Sequence, residues 1–253
     1  MDKQTWIDIV KKYKGAFVVW VDQSSDSLLK EINSNGVCAA MAFDFVTAFQ
    51  VGAPGPFNFL NDIRDTSKVD PTTNRIPAKY IEIQSALKAM LVQYKQNMAQ
   101  LIANYKAAES ANKPEVMASI RTLKSNRIKQ RFGPGMDAVK EIKDADADLA
   151  PIEIFVDMND IVEDKGPSYF FVGMRRDNGT GHAIAFGFRP DLSASSNFPG
   201  IFQFFDANLG QFTFGTEERL SDFFSDEVWN KIYKTSGYTK FEVVSFTAIK
   251  GRS

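Results

Sequence analysis

The sequence is poor in the residues that most often carry chemistry. In 253 residues there is one cysteine, Cys38, and one histidine, His182. A single cysteine excludes an intramolecular disulfide framework, and one of each is too few for a cysteine/histidine zinc site. Cysteine usage fits a reducing compartment. Charge of one sign is missing too: 30 Lys and Arg stand against 31 Asp and Glu. Without a global basic field to displace counterions, nucleic acid is not the expected partner. No apolar run reaches the roughly 18–20 residues that span a bilayer, so no integral membrane segment is expected. The start, Met1-Asp2-Lys3-Gln4-Thr5-Trp6, lacks the basic and apolar stretches of a secretory signal. Residue 2 is Asp and the C-terminus has no prenylation cysteine, so lipidation motifs are absent. The expectation is a soluble protein that is cytoplasmic or leaves by a route independent of a signal peptide.

What is present is ordinary globular material, 44% hydrophobic and 24% charged, enough for a substantial core. Three zones follow one another, without internal repeats or low-complexity segments. In residues 1–60, Trp6, Ile9, Val10 and Tyr13 recur at helical spacing, and Ala16 to Val21 reads as a buried strand. The turn cluster Asn33-Ser34-Asn35-Gly36 precedes Val37 to Phe49, a helix that is apolar on most faces and therefore buried. Residues 60–150 are helical. Tyr80 to Ala108 is one long helix, and Pro114 opens a second that ends at Gly133-Pro134-Gly135. The basic run Arg121, Lys124, Arg127, Lys129 and Arg131 reads as a solvated face whose field nearby acids cancel, with a local binding face as the alternative.

From residue 152 onward the chain reads as β-rich. Ile152–Val156, Tyr169–Arg175, His182–Arg189, Ile201–Phe205, Gln211–Phe214 and Phe241–Ile249 are expected strands, and Asp177-Asn178-Gly179 is a hairpin turn. One amphipathic helix interrupts them, with Leu220, Phe223, Phe224, Val228, Trp229 and Ile232 on one face. Helices first and antiparallel strands second predict an α+β fold.

The scarce residues fall at element boundaries. Cys38 begins the buried helix, where the helix dipole and free N–H groups stabilise a thiolate and can hold an oxyanion. His182 begins an apolar strand, and Asp206 ends another. If those strands are neighbours, Asp206 can accept from one imidazole nitrogen while the other faces Cys38, the nucleophile–base–orienter logic of a triad. Each residue also has a plainer reading. Cys38 can be a small buried hydrophobe, His182 a satisfied core residue, and Asp206 the closer of a turn.

Three motifs, Gly36-Val37-Cys38, Gly181-His182-Ala183-Ile184-Ala185 and Phe204-Phe205-Asp206-Ala207-Asn208-Leu209-Gly210-Gln211-Phe212-Thr213-Phe214, together resemble the YopT-type cysteine protease family of the papain-like clan. The resemblance implies one papain-like catalytic domain over 1–253, its helical N-terminal half packed on a C-terminal antiparallel sheet. The nucleophile helix would cover about 37–49, a helical insertion about 60–150, and the β-rich part about 152–253. It implies Cys38 as nucleophile, His182 as general base and acid, and Asp206 as orienter. Asn33, with Asn35 as the fallback, would complete the oxyanion hole. It also implies a bacterial effector or toxin delivered into a host cell to cleave a host protein, with no metal or cofactor. Ala207 stands where the family commonly has proline, and the helix after Cys38 lacks an expected tryptophan. Glutamine deamidation, transamidation and cell-wall amide hydrolysis share the same triad and remain alternatives, as does a binding module with a vestigial triad.

Overall fold

The computed structural model describes residues 2–23, 36–67, 78–132, 136, 138–142, 146–190 and 200–249. In chain order these form α1 (Lys3–Lys12), β1 (Ala16–Val19), α2 (Cys38–Gln50), α3 (Gly55–Ser67), α4 (Ala78–Ala107), α5 (Lys113–Phe132), β2 (Ala138–Ile142), α6 (Ala150–Lys165), β3 (Ser168–Arg175), β4 (Gly181–Pro190), β5 (Gly200–Asp206), β6 (Gly210–Phe214), α7 (Glu217–Phe223), a π-helix (Phe224–Tyr233), a 3-10 turn (Lys234–Ser236) and β7 (Lys240–Thr247). The fold is α+β. Two compact units are present: residues 1–77 with 137–253, and residues 78–136.

The larger unit is built on a seven-stranded sheet in the order β1-β6-β5-β4-β3-β7-β2, with every described pairing antiparallel. Alternation along the strands sorts their side chains onto two buried faces. On one face Phe170, Ile184, Phe186, Phe204 and Phe212 pack against α1, α6, α7 and the π-helix through Trp6, Phe155, Phe223 and Phe224. On the other, α2 and α3 bring Phe45, Phe49 and Phe59 against Phe205 and Tyr169; the Phe45 ring stacks 5.5 Å from that of Phe205, nearly parallel at 8°. Strand β4 explains how α2 comes so close. Its large residues Ile184, Phe186 and Phe188 point one way, while Ala183, Ala185 and Gly187 leave only small groups under the helix.

The predicted strands at 16–21, 169–175, 182–189, 201–205, 211–214 and 241–249 are found, with ends shifted by a few residues. The Asp177-Asn178-Gly179 turn joins β3 to β4, with Gly179 at φ 84° and Arg176 N–H donating to Thr180 O at 2.9 Å. Ile152–Val156 is not a strand. It lies in α6, which buries Ala150, Pro151, Ile154, Phe155, Met158 and Ile161 at helical spacing. Pro151 in the first turn and the 3.6-residue repeat outweigh the local β-branched content. Strand β2 falls within the stretch expected to be helical. Its sequence, Ala-Val-Lys-Glu-Ile, carries charges suited to a sheet edge and little apolar alternation. The long helices α4 and α5 form the second unit, narrower than the expected insertion at about 60–150.

Candidate active site

Gly36 and Gln23 set the entrance of α2. Gly36 adopts φ 97°, and a Cβ there would meet Gln23 Oε1 at 2.7 Å. That oxygen accepts the Val37 N–H at 2.7 Å, while the Gln23 N–H donates to Ala207 O at 2.9 Å. One buried glutamine therefore ties the residue before the helix to the turn after β5. Helix α2 then starts at Cys38 with no side-chain cap and no acidic residue in its first turn, so its positive end is left to the thiol.

His182 stands two residues beyond the last described β4–β5 pair, Ile184↔Asp206. Asp206 ends β5, and the β5–β6 connection folds back tightly behind it. There Gly210, at φ 97°, passes so close to Val19 O that a Cβ would sit 2.0 Å from it. His182 and Asp206 share the face that carries Ile184 and Phe204, because they keep the same parity on their strands. His182 Nε2 and Asp206 Oδ2 are 2.8 Å apart. The other imidazole nitrogen, Nδ1, is left for the thiol, and the Ala183 N–H also hydrogen bonds the sulfur. Cys38 is buried, the His182 side chain is all but buried at 8% exposure, and Asp206 is buried completely.

Electrostatics favour an ion pair. Burial raises the Cys38 pKa, but the charge and hydrogen bond of His182 outweigh it, and the thiol ionises below its ordinary range. For His182, burial disfavours the proton, but the charges of Asp206 and Cys38 overcome it, and its pKa lies well above the usual histidine value. Thiolate and imidazolium stabilise each other, as an activated nucleophile requires.

Asp206 both closes a turn and holds the histidine. Its Oδ1 accepts the Asn208 N–H at 2.5 Å, the turn-closing role open to an aspartate here, while Oδ2 serves His182. A second donor reaches Oδ2, the hydroxyl of Tyr233. The Tyr233 ring lies 5.7 Å from the His182 ring and is buried. Helical periodicity puts Ile232 rather than Tyr233 on the inner face, because nine residues at about 100° each set Tyr233 half a turn from Phe224. The i→i+5 winding of the π-helix returns to the same face after about nine residues. Phe224 and Tyr233 are thus both buried, and Ile232 is half-buried. Gln23 left a fainter sequence signal, a polar residue following the apolar run that ends at Val21. Asn33 and Asn35 lie outside the described residues. Among those described, no cluster of three or more His, Cys, Asp or Glu could hold a metal ion, and no helix is long and apolar enough to cross a membrane.

No family model matches the chain, and no curated protein matches it. Among solved structures the chain is similar to the crystal structure of the Pseudomonas avirulence protein AvrPphB. Identity is 13% and the TM-score 0.48, with 91% of this chain and 97% of that chain covered.

Proposed function

We propose that the chain is a papain-like cysteine endopeptidase that works through Cys38, His182 and Asp206. The observation that carries this reading is the hydrogen-bonded line from Asp206 Oδ2 through the His182 ring to the Cys38 sulfur at a helix N-terminus. The Cys38 thiolate adds to a peptide carbonyl, and the oxyanion that forms is held by the Cys38 N–H together with Asn33, or Asn35 in its place. His182 gives its proton to the departing amine, leaving an acyl-thioester. A water molecule, deprotonated by His182, then releases the acid and regenerates the thiolate–imidazolium pair. Asp206 keeps the imidazole aimed and stabilises its charged form. The substrate is a protein, and the biological setting we infer is a bacterial effector acting inside a host cell after export by a signal-peptide-independent system.

The test is mass spectrometry of a host-derived peptide library incubated with the chain and with Cys38→Ala. New peptide termini made by the native chain alone support the proposal. Equal cleavage by Cys38→Ala overturns it. A gain of about one dalton without cleavage assigns the site to deamidation, and addition of a supplied amine assigns it to transamidation; either outcome replaces the endopeptidase reading.

A further inference from the structure

Helix α4 presents three stripes, each stepping alternately by four and three residues. Leu87, Leu91, Tyr94, Met98, Leu101 and Tyr105 are buried or half-buried. Gln93, Asn97, Gln100 and Asn104 form an exposed amide ladder, with Gln93 bonded to Asn97 and Gln100 to Asn104 at 2.9 Å. The third stripe, Lys88, Val92, Lys95, Ala99, Ile102 and Lys106, is exposed throughout, with Val92 at 53% and Ile102 at 44%. None of its three lysines makes an ion pair among the described residues.

The unit around this stripe is strongly basic. Between Ala78 and Met136 ten lysines and arginines face only three acidic residues, Glu82, Glu109 and Glu115. The rest of the chain carries 20 basic and 28 acidic residues. The near-neutral total is the sum of a basic unit and an acidic remainder, so the expectation that nearby acids cancel the Arg121–Arg131 run does not hold within this unit.

We propose that the Lys88–Lys106 stripe is a docking surface for the face of an anionic lipid bilayer. Lysines regularly interleaved with aliphatic side chains suit a headgroup layer: the ammonium groups meet lipid phosphates and carboxylates while Val92 and Ile102 enter the acyl boundary. A second copy of the stripe would oppose like charges. A nucleic acid would set Val92 and Ile102 against phosphates, and the tyrosines that could stack on bases lie in the half-buried stripe. Both are already covered by cations, Arg127 at 4.9 Å from the Tyr94 ring and Lys113 at 5.7 Å from the Tyr105 ring.

The experiment is flotation of the full chain with vesicles of phosphatidylcholine, with and without about 30% phosphatidylserine. Binding only to the phosphatidylserine vesicles, weakened by salt, is expected. At about fivefold per lysine, the triple variant Lys88→Gln, Lys95→Gln, Lys106→Gln should bind roughly a hundredfold more weakly. The corresponding triple Lys→Arg variant, which keeps the charge, should bind as the native chain does. Val92→Asn with Ile102→Asn should weaken binding while leaving its salt dependence in place, and Gln93→Ser on the amide ladder should change nothing. Circular dichroism checks that each variant keeps its helices. No binding to phosphatidylserine vesicles overturns the proposal, as does equal binding to both vesicle types or native binding by the Lys→Gln variant. Inert vesicles with tight binding of transfer RNA or polyglutamate would overturn it in favour of another acidic partner.

Discussion

Replacing Tyr233 by phenylalanine removes one oxygen and leaves the ring that packs near His182. That oxygen donates to Asp206 Oδ2, the atom that also holds His182 Nε2 at 2.8 Å. Asp206 is fully buried, so no water replaces the lost donor at low cost, and a hydrogen bond to a charged group contributes about 1.5–3 kcal/mol. Losing about 2 kcal/mol in a chain of this size lowers Tm by roughly 4–8 °C. A second effect is electrostatic. With the tyrosine hydroxyl gone, Oδ2 serves the imidazolium alone and holds its proton more firmly, so His182 should titrate at higher pH than before. Proton NMR reads this directly, since the chain's single histidine gives a single set of imidazole signals. The measurement belongs in a Cys38→Ala background, where no thiol titrates with the ring. An unchanged Tm together with an unchanged or lowered histidine titration would refute the role assigned to Tyr233; a fall in Tm alone would leave it a packing residue.

Three further outcomes are expected. In the native chain the Cys38 thiol ionises below its ordinary range while His182 keeps its proton above its own, so iodoacetamide alkylation of Cys38 should stay fast as pH falls below the ordinary thiol range; a rate that falls with pH as an unfolded-state thiol's does would contradict the ion-pair account. Gln23→Met removes the acceptor of the buried Val37 N–H and should cost about 1–3 kcal/mol and slow iodoacetamide alkylation of Cys38, whereas Gln23→Glu keeps an acceptor and should restore the alkylation rate; equal rates in both variants would count against a positioning role. Phe45→Ala empties a site stacked on Phe205 and Phe49 and should cost about 3–5 kcal/mol in urea unfolding; a loss below 1 kcal/mol would mean that α2 is not anchored through this ring.

The strands other than β2, the two long helices and α2 were legible because their periods are clean and their turns carry Gly, Asn and Asp. The pairing of His182 with Asp206 was legible only as a condition: both residues fall at strand ends, and the neighbourhood of those strands comes from the sheet and not from any local pattern. Other features were hidden by physics that composition does not record. Ile152–Val156 has β-forming residues, but the core meets them at helical spacing. Gln23 acts on Val37 across fourteen residues of chain, a contact that no local pattern marks. Tyr233 was hidden because the period that places it is neither that of an α-helix nor that of a strand.

The π-helix makes the site sensitive to the number of residues in a segment as well as to their identity. Between Phe224 and Tyr233, one residue more or fewer would turn the terminal phenol away from Asp206 even with every side chain kept. Divergence in this segment should therefore accept replacements at exposed Asn230 and Lys231 far more readily than insertions or deletions of any kind. Its length acts as a gauge set against the sheet, and the aspartate is the mark it is cut to.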